Sequence, residues 1–387
     1  MQVHRCRAGV IAAIALLVVP LAVVLAWPGR PYAQPGIPLL CSWPVRVDEQ
    51  TLNVFFPDAA STYWVGGIAG VPGSRFVVRG QYPAARYFSL HAYDARGNVV
   101  GALADDEIER APGEPARYSV EVQLGRAPAA PGPNTIYTGR AAGWLVYRVY
   151  LPNDPASPTG GVGLPQLQRV LAGRVPLRPP AECAVQPPGR LANLAQDVVA
   201  QVDLPSGLAD RAGSASDPPE LRRATGAGLF ANRHVAYLAA PISRELGEVL
   251  VMRFWAPSAQ SGAATEGQLR YWSVCSNEAL TTRVVACTHD QSTALTGGFA
   301  TIVVSDPARR PTNAVAENGI TWLPRGIADI GILIYRHMLP NPAFAEAIQN
   351  VPLDALPDDV MGIYAPATGY CTTRTFESGG PQGCLDS

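Results

Sequence analysis

The feature that most constrains this chain is an internal repeat. The tetrapeptide Arg-Tyr-Phe-Ser that begins at Arg86 returns at Arg270 as Arg-Tyr-Trp-Ser, 184 residues later. Residues 145–153 and 333–341 form another matching pair in the same order, at an offset of 188 residues. Collinear matches at nearly one offset predict two copies of a whole domain, because solenoid units repeat every ~20–50 residues.

The segments within each copy favour strands. They are short and rich in aromatic and β-branched residues, and they are separated by glycine and proline, of which the chain has 37 each. Many short strands with such turns are typical of a sandwich or barrel. We therefore predict a mainly β fold, with two homologous antiparallel β-sandwich domains of jelly-roll type and a few short helices. Helical patterns are expected at 165–174, 191–202 and 343–350.

Composition divides the chain into four parts. Residues 1–33 contain Arg5 and Arg7 followed by a nearly unbroken apolar run, which predicts a signal peptide or an uncleaved N-terminal anchor. The first sandwich is expected at 34–185, a linker with one helix at 186–228, and the second sandwich at 229–387. Both alternatives for the N-terminal segment place the rest of the chain outside the cytoplasm, secreted or anchored to the cell envelope.

Cysteine usage agrees with export. Cys6 lies in the N-terminal segment, and the other six cysteines follow it. An even number of cysteines in an exported chain indicates disulfides. None of the six has the spacing of a zinc site, so no metal site is predicted from them. Their positions favour the pairs Cys41–Cys183, Cys275–Cys287 and Cys371–Cys384.

Charge excludes one class of partner. The formal net charge is −1, and charged residues make up only 16% of the chain. A nucleic-acid surface needs clustered lysine and arginine, so no nucleic acid is expected. Without a phosphate-binding loop or a dinucleotide fingerprint, no cofactor is predicted either. The expected partner is a small molecule, a glycan or an envelope component, with membrane contact only through an uncleaved N-terminal segment.

Repeated arginines within apolar strands are the main candidates for a ligand site. A guanidinium in such surroundings needs an acceptor. The neighbouring acidic turns can supply one, which would give a structural Arg–Asp network. Alternatively, an anionic or sugar-like ligand lies between the arginines and aromatic rings. The predicted ligand-binding residues are Arg86, Asp106, Arg148, Arg270, Asp290 and Arg336.

Catalysis and calcium binding are the alternatives. His289, Asp290 and His337 could form an acid–base set, since imidazole titrates near neutral pH. Such a set would serve a hydrolase or lyase that acts on a polysaccharide or envelope component through the second domain. Acidic residues in neighbouring turns could instead hold calcium, although EF-hand spacing is absent. These residues are Asp94, Asp105, Asp106 and Glu107.

The run from Arg86 to Asp94 (Arg-Tyr-Phe-Ser-Leu-His-Ala-Tyr-Asp) and its copy at Arg270 resemble a known strand pattern. It is that of uncharacterised exported bacterial proteins grouped as DUF1214-like, which have jelly-roll-type β-domains. The resemblance implies a β-sandwich in an envelope or secreted protein and implies no activity. We therefore expect an exported, non-catalytic binding module, with the hydrolase or lyase as the alternative. A purely structural module, marked by an exposed apolar patch, is a third possibility.

Overall fold

Strands make up most of the regular structure in this chain. The computed structural model describes residues 41–70, 73–94, 97–139, 142–171, 175–177, 183, 215–224, 230–260 and 266–386. These residues belong to one compact unit. The N-terminal segment 1–33 and the helical pattern at 191–202 lie outside them. No helix within the described ranges is long and apolar enough to cross a membrane.

The first half forms two sheets packed face to face. In chain order its strands are β1 Val45–Val47, β2 Ser61–Ala69, β3 Arg75–Gln81, β4 Ala85–Tyr93, β5 Val99–Ala104, β6 Arg110–Ala111, β7 Glu114–Gln123, β8 Thr135–Tyr137, β9 Ala142–Pro152, β10 Gln166–Leu171 and β11 Val175–Pro176. One sheet has the order β1-β2-β9-β4-β5 and the other β11-β10-β3-β7-β6, with β8 parallel to β7. Because side chains alternate along a strand, one side of each sheet can supply the core, which includes Val78, Leu90, Val120 and Tyr147.

The second half repeats this arrangement. Its strands are β12 Arg222–Arg223, β13 Val235–Ser243, β14 Val249–Trp255, β15 Leu269–Glu278, β16 Val284–His289, β17 Leu295–Thr296, β18 Phe299–Ser305, β19 Ile320–Pro324, β20 Ile330–Pro340 and β21 Ala367–Cys371. The sheets have the orders β12-β13-β20-β15-β16 and β17-β18-β14-β21, with β19 parallel to β18. The core includes Met252, Trp272, Ile302 and Tyr335. β12 comes from residues 215–224, inside the predicted linker.

The two halves share one strand order. β2, β9, β4 and β5 stand in the first half where β13, β20, β15 and β16 stand in the second. The parallel pairing of β7 with β8 recurs as that of β18 with β19. The predicted mainly β fold with two antiparallel sandwiches is therefore confirmed.

The central strands are buried on both faces. β4 is buried from Arg86 to Tyr93 without a break. Phe88 and Leu90 point into the core of the first sandwich. Tyr87, which precedes Phe88 in sequence, belongs to a different apolar cluster, which also includes Tyr271 of the second half. The alternation of buried apolar and exposed polar residues that marks a one-sided sheet is therefore absent. The reason is that sheet β1-β2-β9-β4-β5 and sheet β12-β13-β20-β15-β16 each pack one face on their own core and the other face against the other half.

Two helix predictions are wrong. The described part of 165–174 contains strand β10, which pairs antiparallel with β3 on one side and with the short β11 on the other. Leu167 and Val170 are its buried residues, and a spacing of three suits a helix as well as this short strand. Residues 343–350 contain only one 3-10 turn. The 3-10 turns are Pro307–Arg309, Ala316–Asn318, Ile348–Asn350 and Gly362–Tyr364, and the α-helices are α1 Asp358–Met361, α2 Thr373–Gly379 and α3 Gln382–Leu385.

All three predicted disulfides are confirmed. Cys41–Cys183 closes a separation of 142 residues in the first half. Cys275–Cys287 joins residues that face each other on β15 and β16. Cys371–Cys384 ties β21 to α3. One disulfide thus lies within the first half, one joins two strands of the second half, and the third fixes the C-terminal segment to β21.

Candidate ligand site between the two sandwiches

The predicted ligand residues lie where the inner sheets of the two halves meet. We call this contact, between sheet β1-β2-β9-β4-β5 and sheet β12-β13-β20-β15-β16, the interface. Arg148 of β9 is opposite Ser89 of β4, and Arg336 of β20 is opposite Ser273 of β15. These two arginines are therefore structural counterparts. Both are almost fully buried.

The halves exchange their Arg–Asp pairs across the interface. Arg86 Nη1 donates to Asp290 Oδ2 at 3.0 Å and to the carbonyl oxygen of Arg270 at 3.1 Å. Arg270 Nη1 donates to both carboxylate oxygens of Asp105 at 3.0 Å, and its Nη2 donates to Asp106 at 3.0 Å. An internal Arg–Asp network thus exists, and each arginine takes its carboxylate from the other half.

The strand pairing shows which residues of the two acidic turns, 105–106 and 289–290, are equivalent. The residue opposite Ser89 is followed by Asp105, and the residue opposite Ser273 is followed by Asp290. Asp290 is therefore the structural counterpart of Asp105. The sequence comparison had matched Asp290 with Asp106, which is one residue further along the chain. Burial raises the pKa of Asp105 to about 6 and also raises the pKa of Asp290, while the paired arginines act in the opposite direction.

Arg336 lies beside a buried carboxylate that sequence reasoning missed. Asp58, in the loop before β2, is 0% exposed, and its Oδ2 is 3.9 Å from Arg336 Nη1. The Asp58 carboxylate also accepts hydrogen bonds from the Tyr271 hydroxyl at 2.9 Å and the Ser273 hydroxyl at 2.6 Å. Arg336 Nη2 donates to the carbonyl oxygen of Phe56 at 2.8 Å. The charge of Arg336 is therefore compensated inside the protein.

Arg148 has no carboxylate of this kind. Its Nη2 donates to the Tyr93 hydroxyl at 2.7 Å and to the carbonyl oxygen of Phe230 at 2.6 Å, and its guanidinium carbon is 5.0 Å from the centre of the Tyr63 ring. Arg148 Nη1 is buried without a hydrogen-bond partner. Among the described residues, no carboxylate forms an ion pair with it. A buried charge without a counter-charge is unfavourable, since nothing offsets the lost hydration.

Asn232 occupies in the second half the place that Asp58 occupies in the first. Asn232 Oδ1 accepts from the backbone N–H of His234 at 3.0 Å, as Asp58 Oδ1 accepts from that of Ala60 at 3.0 Å. The amide nitrogen of Asn232 therefore stands where Asp58 has its second oxygen. Asn232 Nδ2 is buried and has no hydrogen-bond partner. The Asp58 carboxylate of the first half thus has an amide, that of Asn232, as its counterpart in the second half.

A signal for these loop residues is present in the sequence. Phe56 and Phe230 are 174 residues apart, and the same offset relates Asp58 to Asn232 and Tyr63 to Tyr237. Both phenylalanines have left-handed backbones, with φ of 52° and 59°, and both accept from an arginine of the other half. Extending the repeat upstream of the strands would have found them.

Two histidines near Arg148 are neutral at physiological pH. Burial lowers the pKa of His234 to about 4, with a further lowering by the charge of Arg148. The same two effects lower the pKa of the fully buried His91. His234 Nδ1 shares a hydrogen bond with the Tyr87 hydroxyl at 2.8 Å. The imidazoles therefore add polar surface beside Arg148 without adding charge.

The structure does not bring the three catalytic candidates together. His337 is fully buried on the core side of β20, where its Nδ1 accepts from the backbone of the 348–350 turn. His289 lies on the interface side, 6.0 Å from the Tyr271 ring between centroids. Asp290 is bound by Arg86. An acid–base pair must reach one substrate, and His289 and His337 lie on opposite faces of one sheet.

Potential metal ligands have partners within the protein. Glu107 accepts from a backbone N–H at 2.8 Å, and Asp94 accepts from a backbone N–H four residues later at 3.0 Å. Ligand atoms of Asp58, Cys275 and Cys287 lie within 4.8 Å of one another. Both of these cysteines are in a disulfide, which offers no thiolate to a metal.

Comparison with known proteins supports the fold. No family model and no curated protein sequence matches this chain. It is similar to the crystal structure of an uncharacterized protein from Burkholderia cenocepacia, with a TM-score of 0.51 and 15% identity over 77% of this chain and 79% of the other. The VPA0106 protein from Vibrio parahaemolyticus gives a TM-score of 0.41 and 13% identity over 76% and 88%. The first match shows a shared β fold with a bacterial protein, and the likeness to DUF1214-like proteins stays a prediction.

Proposed function

We propose that this chain is an exported, non-catalytic binding protein whose ligand contacts Arg148 at the interface. Of the six predicted ligand residues, Arg86, Arg270 and the two aspartates hold the halves together, and Arg336 has Asp58. Arg148 alone among the four arginines lacks a carboxylate within the described part of the chain. The carrying observation is the unpartnered Nη1 of a guanidinium that is almost completely buried.

The ligand class follows from what Arg148 lacks. A guanidinium offers planar donors and a permanent positive charge, so it favours an anionic group. Tyrosine rings and hydroxyls surround it, and Asn232 adds a free amide donor. Donors and aromatic faces suit an anionic small molecule, a charged glycan or an acidic envelope component. With His289 and His337 on opposite faces of a sheet, we assign binding without turnover.

Export is supported by the cysteines. Six of the seven are paired in disulfides, and such bridges persist in oxidising compartments. The N-terminal residues 1–33, with their basic start and apolar run, supply the export signal in this proposal. We place the protein outside the cytoplasm, secreted or attached to the envelope.

We also infer that the two sandwiches arose by duplication. The matching strand orders support this, and so do the reciprocal contacts of Arg86 with Asp290 and of Arg270 with Asp105. The domain limits of 34–185 and 229–387 belong to the same proposal, with β12 added to the second domain.

Thermal denaturation of the oxidised chain without residues 1–33 tests the binding site. A panel of anionic metabolites, acidic sugars and lipid head groups is added, and a ligand present at 100 times its Kd should stabilise the fold by about 2.7 kcal/mol. Arg148→Met should lose the rise in midpoint, and Arg148→Lys should retain part of it. Arg79→Met, on an exposed arginine of β3, is the matched control and should retain all of it.

Two results would contradict the proposal. One is a ligand that raises the midpoint of Arg148→Met as much as that of the wild type, because binding would then be elsewhere. The other is conversion of the bound compound to a product, which would make the protein an enzyme.

A further inference from the structure

We infer that the site at Arg148 takes one small monovalent anion, such as chloride or formate, in the role that the Asp58 carboxylate plays for Arg336. The inference rests on the proposed function and names the ligand class of the same site. It is carried by the comparison of two equivalent places within one molecule. One place contains its own anion, and the other contains an amide instead.

The equivalence of the two places is set by backbone pairing. Arg148 lies opposite Ser89, and Arg336 lies opposite Ser273. Each guanidinium donates through Nη2 to the carbonyl oxygen of a left-handed phenylalanine from the other half. The two sites differ at Nη1, because that of Arg336 also donates to the Cys275 sulfur at 2.7 Å and that of Arg148 has no partner.

Asp58 shows what an anion does at this position. Its Oδ1 accepts from the backbone of Ala60 and from the Tyr271 hydroxyl, and its Oδ2 accepts from the Ser273 hydroxyl at 2.6 Å and faces Arg336 Nη1 at 3.9 Å. One negative charge thus meets one buried positive charge, and hydroxyl donors surround it. Buried charges persist in proteins when they are paired and hydrogen-bonded in this manner.

At the equivalent place around Arg148 two donors are left over. The Asn232 amide is oriented by the backbone N–H of His234, which requires an acceptor and so identifies Oδ1. Nδ2 is then turned to the side where Asp58 has its second oxygen. Both Asn232 Nδ2 and Arg148 Nη1 are buried without partners. Two unpaired donors and one uncompensated positive charge require an acceptor that carries a single negative charge.

The site also limits the size of that anion. The anion would lie between two packed sheets. The equivalent place beside Arg336 accommodates one carboxylate group, that of Asp58. The Tyr87 hydroxyl is the counterpart of the Tyr271 hydroxyl. It lies 3.4 Å from Asn232 Oδ1 and is hydrogen-bonded to His234 Nδ1. A halide or a compact carboxylate meets these limits. A dianion would bring a charge that Arg148 alone does not balance.

The test uses Asn232→Asp, which converts the second donor into the missing carboxylate. Thermal midpoints are measured at pH 7.5 and constant ionic strength, with gluconate replaced stepwise by chloride or by formate. The wild type should show a saturable rise in midpoint with either small anion. Asn232→Asp should start from a higher midpoint in gluconate and show no rise, because its own carboxylate fills the role of the anion.

Asp58→Asn is the reciprocal variant. It removes the carboxylate beside Arg336, so a second saturable rise of the thermal midpoint with chloride or formate should appear. If this variant does not fold, the Asn232→Asp comparison decides by itself. Near-UV circular dichroism verifies that each measured variant keeps its tertiary packing.

The outcomes separate this inference from the proposed function. If a larger or doubly charged compound raises the wild-type midpoint through Arg148 and chloride and formate do not, the small-anion inference is overturned and the binding function stands. If Asn232→Asp responds to chloride as the wild type does, the anion lies elsewhere and the inference is overturned. If no anion of any size changes the wild-type midpoint, both fail.

Discussion

Arg148 and Arg336 show how much one atom can decide at the scale of a residue. Their strands and their contacts to a phenylalanine carbonyl are equivalent, and both are buried. One difference is that Asp58, which lies beside Arg336, has an oxygen where its counterpart Asn232 has a nitrogen. That difference leaves one guanidinium compensated and the other in need of an anion.

His337 gives a prediction of pH dependence at the same scale. Burial lowers its pKa from 6.5 to about 3 in the folded state. The unfolded chain therefore takes up a proton below about pH 6.5 that the folded protein refuses until about pH 3, so stability falls as the pH decreases through this window. Between pH 7 and pH 5 this histidine alone should cost about 2 kcal/mol of unfolding free energy.

Urea unfolding of the wild type and of His337→Gln at both pH values measures that cost. Glutamine keeps an acceptor for the backbone of the 348–350 turn and does not titrate. The variant should lose about 2 kcal/mol less than the wild type on acidification. Equal losses in both proteins would mean that His337 is protonated as easily in the folded state as in the unfolded one.

Sequence reasoning at this scale identified the arginines and the need for acceptors, and it could not assign the partners. Asp105 and Asp290 occupy equivalent positions in two copies, so distance along the sequence gives no preference between a partner in the same half and one in the other. Asp58 was missed because it lies in a loop outside the repeated strands, and because its counterpart is an asparagine, so the pair is not a repeated carboxylate.

At the scale of the element, β9 shows how close packing restricts a strand. A Cβ atom on Gly143 would lie 2.0 Å from the carbonyl oxygen of Tyr93 on β4, whereas Gly67 on β2 has nothing within 4 Å of such an atom. Both glycines lie in the same β2–β9 ladder. They therefore form a pair within one ladder that differs in the space beside the backbone, with Gly67 exposed and Gly143 half-buried.

Gly143→Ala should lower the unfolding free energy by at least ~1–3 kcal/mol, as overpacking does in a core. Gly67→Ala should be neutral or stabilising by up to about 1 kcal/mol, since alanine restricts the unfolded chain. Urea titration of both variants measures the difference. Similar free energies for the two would show that β4 and β9 can move apart at Tyr93 without cost.

Strand identity was easier to predict than strand ends or neighbours. The aromatic and β-branched runs at β4 and β9 gave their strands correctly, because composition and turn residues act locally. β10 was mistaken for a helix because its partner β3 lies far away in sequence, and strand pairing overrides a weak local preference. The left-handed residues Leu151 and Leu339 are likewise set by strand pairing and not by residue type.

At the scale of the whole molecule, the exchanged ion pairs join the two sandwiches. The side chains of Arg86 and Asp290 are only 3% and 7% exposed. Arg86→Met should cost about 3–5 kcal/mol, because it leaves Asp290 buried without a counter-charge. The double variant Arg86→Met with Asp290→Asn should recover much of this loss, since neither charge then remains.

Arg117→Met is the control for that cycle. Arg117 pairs with Glu114 at 3.0 Å, but both side chains are more than half exposed, so the loss should stay below about 1 kcal/mol. Calorimetry of the wild type should show one transition, as expected for halves that share a buried contact. Two separate transitions, or equal losses in Arg86→Met and Arg117→Met, would show that the halves unfold independently.

The exchange of partners also has a consequence for symmetry. Because an arginine of each half pairs with a carboxylate of the other half, the contact is reciprocal, as in an isologous dimer with two-fold symmetry. Two identical subunits could form the same contact, but both sides would then carry the same residue at the position of Asp58 and Asn232. Tandem linkage removes that restriction, because each position is encoded separately. The fused chain can therefore keep an acid on one side and an amide on the other, which no symmetric dimer of identical chains can do.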